Sequence, residues 1–77
     1  MKKMNEIQKD SLRKLVSSMM EEYREKDSFS PEKRELLLSF SEIADEEISK
    51  LIKKFYDINN IVDNGGFPVL KRIFYSL

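Results

Sequence analysis

Apolar residues in this chain return at steps of three and four, and that spacing limits what it can fold into more than any other feature. Between residues 4 and 23, Met4, Ile7, Leu12, Leu15, Val16, Met19 and Tyr23 recur at helical intervals or their sums. The spacing predicts a first helix ending near Lys26. Its polar face sets Asp10 four residues before Lys14 and Glu22 four before Lys26, acid N-terminal to base, the orientation in which such pairs support a helix. No alternating apolar run is long enough for a strand, and the sequence has no internal repeat.

The breaks between apolar stripes carry start and stop signals. Ser30 can cap a helix, Pro31 has the fixed φ that suits a first helical position, and Glu32 complements the helix dipole. A second helix is therefore expected from Pro31, holding Leu36, Leu37, Leu38 and Phe40. It is short, because Ser39 and Ser41 bracket Phe40 just before a fresh acidic start. Ser41 and Glu42, followed by Asp45, Glu46 and Glu47, read as the opening turns of a third helix, with Lys50, Lys53 and Lys54 downstream as the macrodipole favours. Its stripe is Ala44, Ile48, Leu51, Ile52, Phe55, Ile58 and Val62. Asp63-Asn64-Gly65-Gly66 then ends the pattern, the glycines being free to take the left-handed conformation that closes a helix. Beyond it, Pro68 suits a first turn and Val69, Leu70, Ile73, Phe74 and Leu77 repeat at helical spacing, which predicts a short fourth helix.

Seventy-seven residues suffice for one domain, and a chain of that size buries only about 60% of the surface it exposes when unfolded. The expectation is an all-α fold over residues 1–77, a small antiparallel four-helix bundle of three longer helices and a short C-terminal one. The predicted core is Ile7, Leu12, Leu15, Val16, Met19, Leu37, Phe40, Ala44, Ile48, Leu51, Ile52, Phe55, Val62 and Leu70. Met20, next to Met19, is expected at the surface. A core this small makes a homodimer plausible.

Several chemistries are disfavoured by what the sequence lacks. Without histidine the commonest neutral-pH general base is missing, and without cysteine there is no thiolate nucleophile, thiolate metal site or disulfide, so no enzymatic activity and no cofactor are expected. The acidic group Glu42, Asp45, Glu46 and Glu47 is explained by its place at a helix N-terminus, and no metal site is assigned to it. Asp57 to Pro68 opens like an EF-hand loop, with Asp57 and Asn59 at its first and third positions. It fails at Val62, where glycine is needed, and at Pro68, where glutamate is needed. Lys50, Lys53 and Lys54, extended by Lys71 and Arg72, could neutralise phosphates. Against nucleic acid as a partner, fourteen basic residues cancel fourteen acidic ones, and the exposed face carries no cluster of Arg, Asn or Gln to read bases. Glu6, Lys9 and Asp10 interrupt any signal-peptide core after Lys2 and Lys3, and no apolar run approaches a bilayer span. A cytoplasmic protein that does not insert in membranes is expected.

The C-terminal segment is overloaded. Phe67, Val69, Leu70, Ile73, Phe74, Tyr75 and Leu77 are more apolar and aromatic residues than the one stripe of a short helix can bury. Two readings follow, and both hold if each side of the helix does one job. The helix closes the bundle, with the Tyr75 hydroxyl in water, and it presents an aromatic anchor, Phe74 or Tyr75, flanked by Lys71 and Arg72, to a protein partner.

The order of a long amphipathic helix, the stretch Ser30-Pro31-Glu32-Lys33-Arg34-Glu35-Leu36-Leu37-Leu38, a second long helix, and a Gly-x-Pro-x-x-x-x-x-x-Tyr-x-Leu pattern (Gly66, Pro68, Tyr75, Leu77) resembles the small bacteriocin immunity proteins of the enterocin A type. The resemblance runs over most of the chain. It implies an antiparallel four-helix bundle that protects a producer cell from its own peptide toxin, acting from the cytoplasmic side on the membrane receptor that the toxin attacks. It further implies that the C-terminal half carries specificity, here Gly65, Gly66, Phe67, Pro68, Leu70, Lys71, Phe74 and Tyr75. A reading from a different class is a small intracellular regulator, of phage or bacterial origin, that caps a larger enzyme or transcription component.

Overall fold

The computed structural model describes residues 4–61 and 66–77, the side chains of 59–61 excepted. Four helices succeed one another: α1 (Glu6–Lys26), α2 (Pro31–Phe40), α3 (Glu46–Ile61) and α4 (Phe67–Ser76), with no strand among the described residues. They form the expected small antiparallel bundle. Each helix packs on its neighbours in a closed ring, α1 on α2, α2 on α3, α3 on α4 and α4 back on α1. The diagonal pairs stay apart among the described residues.

The helix ends show which local signals operate. α1 starts on a reciprocal capping box: Gln8 N–H donates to Asn5 Oδ1 at 2.8 Å and Asn5 N–H donates to Gln8 Oε1 at 3.0 Å. It ends at Asp27, which takes the left-handed conformation at φ 60° and donates its N–H to the Tyr23 carbonyl at 2.8 Å. Aspartate enters that region more readily than most residues, because its short polar side chain bonds locally.

α2 does begin at Pro31, but the Ser30 side chain makes no cap. Instead the Ser30 backbone N–H donates to Glu22 Oε1 at 2.6 Å. Glu22 accordingly does not pair with Lys26: its other oxygen lies 3.4 Å from Lys33 Nζ, which also donates to Ser18 Oγ at 2.8 Å. The second expected pair is present, with Lys14 Nζ 3.3 Å from Asp10. Ser41 and Glu42 belong to a turn, not to α3. Their N–H groups and those of Ile43 and Ala44 bond back to the Leu38, Ser39 and Phe40 carbonyls, and the helix resumes at Glu46.

The interior is one cluster built from all four helices, including Leu12, Val16, Met19, Leu37, Ile52, Phe55, Leu70 and Ile73, each essentially sealed from solvent. Burying a side chain of this kind contributes about 1.5–3 kcal/mol. Four residues outside the predicted core join it: Met4, Phe29, Val69 and Ile73. Ile7 does not, being 78% exposed. It precedes Val16 by nine residues, two and a half turns at about 3.6 residues per turn, and so points the opposite way. Phe40 and Leu51 are half-buried against the cluster, as is Met20, and Val62 lies outside the described residues. Ala44 is buried, from the turn before α3.

One end of the bundle is closed by aromatic rings. Phe29, in the α1–α2 connection, stacks on Tyr23 with ring centroids 4.9 Å apart and meets Phe55 edge-on at 5.3 Å. Tyr23 also meets Phe67 at the start of α4, at 5.2 Å. Offset and edge-on pairs of this kind add about 0.5–1.5 kcal/mol each beyond their buried area.

Candidate docking surface

The surface in question is the outward side of α4, and the structure fixes both ends of that helix. At its start Gly66 is buried with φ −80°, so it does not use the left-handed freedom expected of it. The reason for glycine is a neighbour: a Cβ built there would lie 2.5 Å from Phe55 Cε2 and 2.6 Å from Phe55 Cδ2. Only a residue without a side chain lets α4 begin against that ring. At the far end Arg13 Nη2 donates to the Leu77 carbonyl at 2.7 Å, joining α4 to α1 across 64 residues of sequence.

Between these clamps the helix sorts the residues predicted to bind a partner. Leu70 is fully buried, with Val69 and Ile73 beside it, so it contributes packing and no contact surface. Gly66 is likewise interior, and Gly65 lies outside the described residues. Phe67 is half-buried, its ring flanked by Arg24 at 5.9 Å and Lys71 at 5.7 Å, close enough for cation–π attraction. Pro68, Lys71, Arg72 and Tyr75 face outward, Tyr75 being 79% exposed. Phe74 is half-buried and meets Tyr75 edge-on at 5.9 Å.

Two shallow depressions flank this strip, and residues distant in sequence line them. Toward α3 lie Glu47, Lys50, Leu51 and Lys54, with Arg72 and Ser76 from α4. Toward α1 lie Arg13, Lys14, Ser17, Ser18 and Glu21, with Phe74. The first depression unites Lys50, Lys54 and Arg72, grouped in the sequence as a phosphate-neutralising set, while Lys53 lines neither. Glu47 borders it and Glu46 sits 3.5 Å from Lys50, so the positive field there is partly offset. Arg13, Arg24 and Glu21 carry no local signal linking them to α4. They precede it by more than forty residues.

What this arrangement offers is recognition: a rigid aromatic side chain held in water between cations, the composition that dominates protein contact energetics. Among the described residues no three carboxylates, histidines or cysteines converge as a metal ion requires. No described helix is long and apolar enough to cross a membrane. No family model matches the chain, and neither does any curated protein or solved structure.

Proposed function

We propose that this protein acts by binding another protein through the outward side of α4, as an immunity protein that protects a bacteriocin producer from its own peptide toxin. The observation that carries the reading is Tyr75, 79% exposed beside Phe74 and flanked by Lys71 and Arg72, on a helix whose other side is locked into the core. An exposed aromatic on a clamped helix costs little ordering entropy on binding. The order of helices and the Gly66, Pro68, Tyr75, Leu77 pattern that resembles the enterocin A type supply the biological setting, in which the partner is a membrane receptor occupied by toxin.

Expression of the chain in a bacterium sensitive to the peptide encoded beside its gene tests this. Survival with the wild-type chain, lost on Tyr75→Ala while the helical signal persists, supports the reading. No gain in survival removes it. Recovery of a soluble enzyme or transcription component from host lysate, in place of a membrane receptor, would assign the protein to the class of intracellular regulators.

A further inference from the structure

We propose that the outward side of α4 also receives the outward side of α2 from a second copy of this chain, head to tail. α4 carries Lys71 and Arg72 and no acid, and the depression beside it adds Lys50 and Lys54, of which Lys50 is paired with Glu46 and Glu47 lies alongside, so the basic character rests on Lys54, Lys71 and Arg72. α2 is the reverse. Glu32, Glu35 and Leu36 are exposed along it, Leu36 by 52%, and the turn that follows exposes Glu42 and Ile43. Of the cations of α2, Lys33 is turned to Ser18 and Glu22 of α1, while Arg34 is half-buried and acts on the Tyr56 hydroxyl that donates to Glu35, so Glu32 and Glu42 carry the charge of the stripe. One stripe is therefore basic around an exposed tyrosine, and the other is acidic around an exposed leucine and isoleucine. The chain carries both halves of a charge-complementary contact.

Their placement decides the geometry. α2 and α4 stand diagonally across the ring, so the two stripes look away from each other. A copy bound by its α4 keeps its α2 stripe free for the next copy, which makes the contact heterologous and the assembly an open chain. The strip on α4 is only about 15 Å long at 1.5 Å per residue, which places the contact in the small, transient class below about 1,200 Å². The association is therefore weak, concentration-dependent and screened by salt. It stands independently of the immunity reading, although it would occupy the same side of α4 and leave the dilute monomer as the form free to dock elsewhere.

Sedimentation equilibrium of the intact chain up to about 1 mM, at about 0.02 M and about 0.5 M salt, tests the proposal. The average mass is expected to climb above 9.2 kDa with concentration at low salt and to return to it at high salt. The charge reversals Lys71→Glu with Arg72→Glu on α4, and Glu32→Lys with Glu42→Lys on the α2 side, should each give a monomer on its own. Mixed in equal amounts, the two variants should regain association, because each supplies the sign the other has lost. Lys54→Glu with Arg72→Glu replaces the α4 pair should that variant not fold by circular dichroism. A wild-type chain that stays monomeric at low salt, association that survives either reversal, or a mixture that remains monomeric overturns the proposal.

Discussion

The ring of Phe55 occupies the space that a side chain on residue 66 would need, with Cε2 2.5 Å from where a Cβ on Gly66 would stand. Since Gly66 has an ordinary φ of −80°, any penalty for a larger residue there is steric and not conformational. Gly66→Ala should destabilise the bundle by about 1–3 kcal/mol in urea unfolding, with less than the sum of the two single losses when combined with Phe55→Leu. Strict additivity of the two substitutions would show that the ring and the glycine do not compete for this space.

Leu70 and Tyr75 should separate stability from docking. Leu70→Ala opens a cavity in a fully buried site and is expected to cost about 2–5 kcal/mol. Tyr75→Ala, at an exposed site, should stay within about 0.5 kcal/mol of wild type. Chemical denaturation of both variants checks the contrast, and equal losses would mean that the two sides of α4 are not distinct.

Glu22 should make the fold acid-sensitive. The Ser30 backbone N–H is the main influence holding its carboxyl below the ordinary value of 4.5; burial opposes it, and Lys33 adds to the lowering. The folded state therefore favours the ionised form. That stabilisation is fully present above about pH 4.5 and is lost as pH falls through the lower folded value. Glu22→Gln should unfold more readily than wild type at neutral pH and lose less on acidification. Parallel pH dependence of the two urea midpoints would exclude the role.

Tyr56 tests the contact between α2 and α3. Its hydroxyl donates to Glu35 Oε1 at 2.9 Å, and that hydrogen bond, with the glutamate charge, raises the phenol above its ordinary 10.0. Stability from this contact is complete below pH 10.0 and is lost as pH rises through the folded value. Tyrosinate absorbance should show one phenol titrating late, and Glu35→Gln should bring it back toward 10.0. A titration unchanged by that substitution would place the cause elsewhere.

The sequence made the helices legible where the signal is local and the core legible where the stripe is long. Pro31 starts α2 because its φ is fixed covalently, and the stripe of Ile48, Ile52 and Phe55 survives because each lies within a turn of the next. Ile7 falls outside the core because it is five residues from Leu12, a step that leaves the stripe. Helical spacing points Glu22 at Lys26, yet the chain reversal at Asp27 brings Ser30 and Lys33 to it instead. The pattern break marks Gly66 but not its reason, since its constraint comes from Phe55 on another helix. Leu70 fits both the core and the docking surface by its spacing, and only the packing of α4 on α1 and α3 decides for the core. The grooves beside α4 could not be read at all, because Arg13 reaches Phe74, and Lys50 reaches Arg72, only when the ring closes.

Arg13 reaches Leu77 from a helix laid down at the opposite end of the chain. Whatever settles on α4 thus meets a platform held still by a hydrogen bond internal to the fold, made by a residue that also borders the depression toward α1. Loosening that tether should slow capture and hasten release through the set of the helix as well as through any direct contact, so loss of affinity alone is no proof of contact.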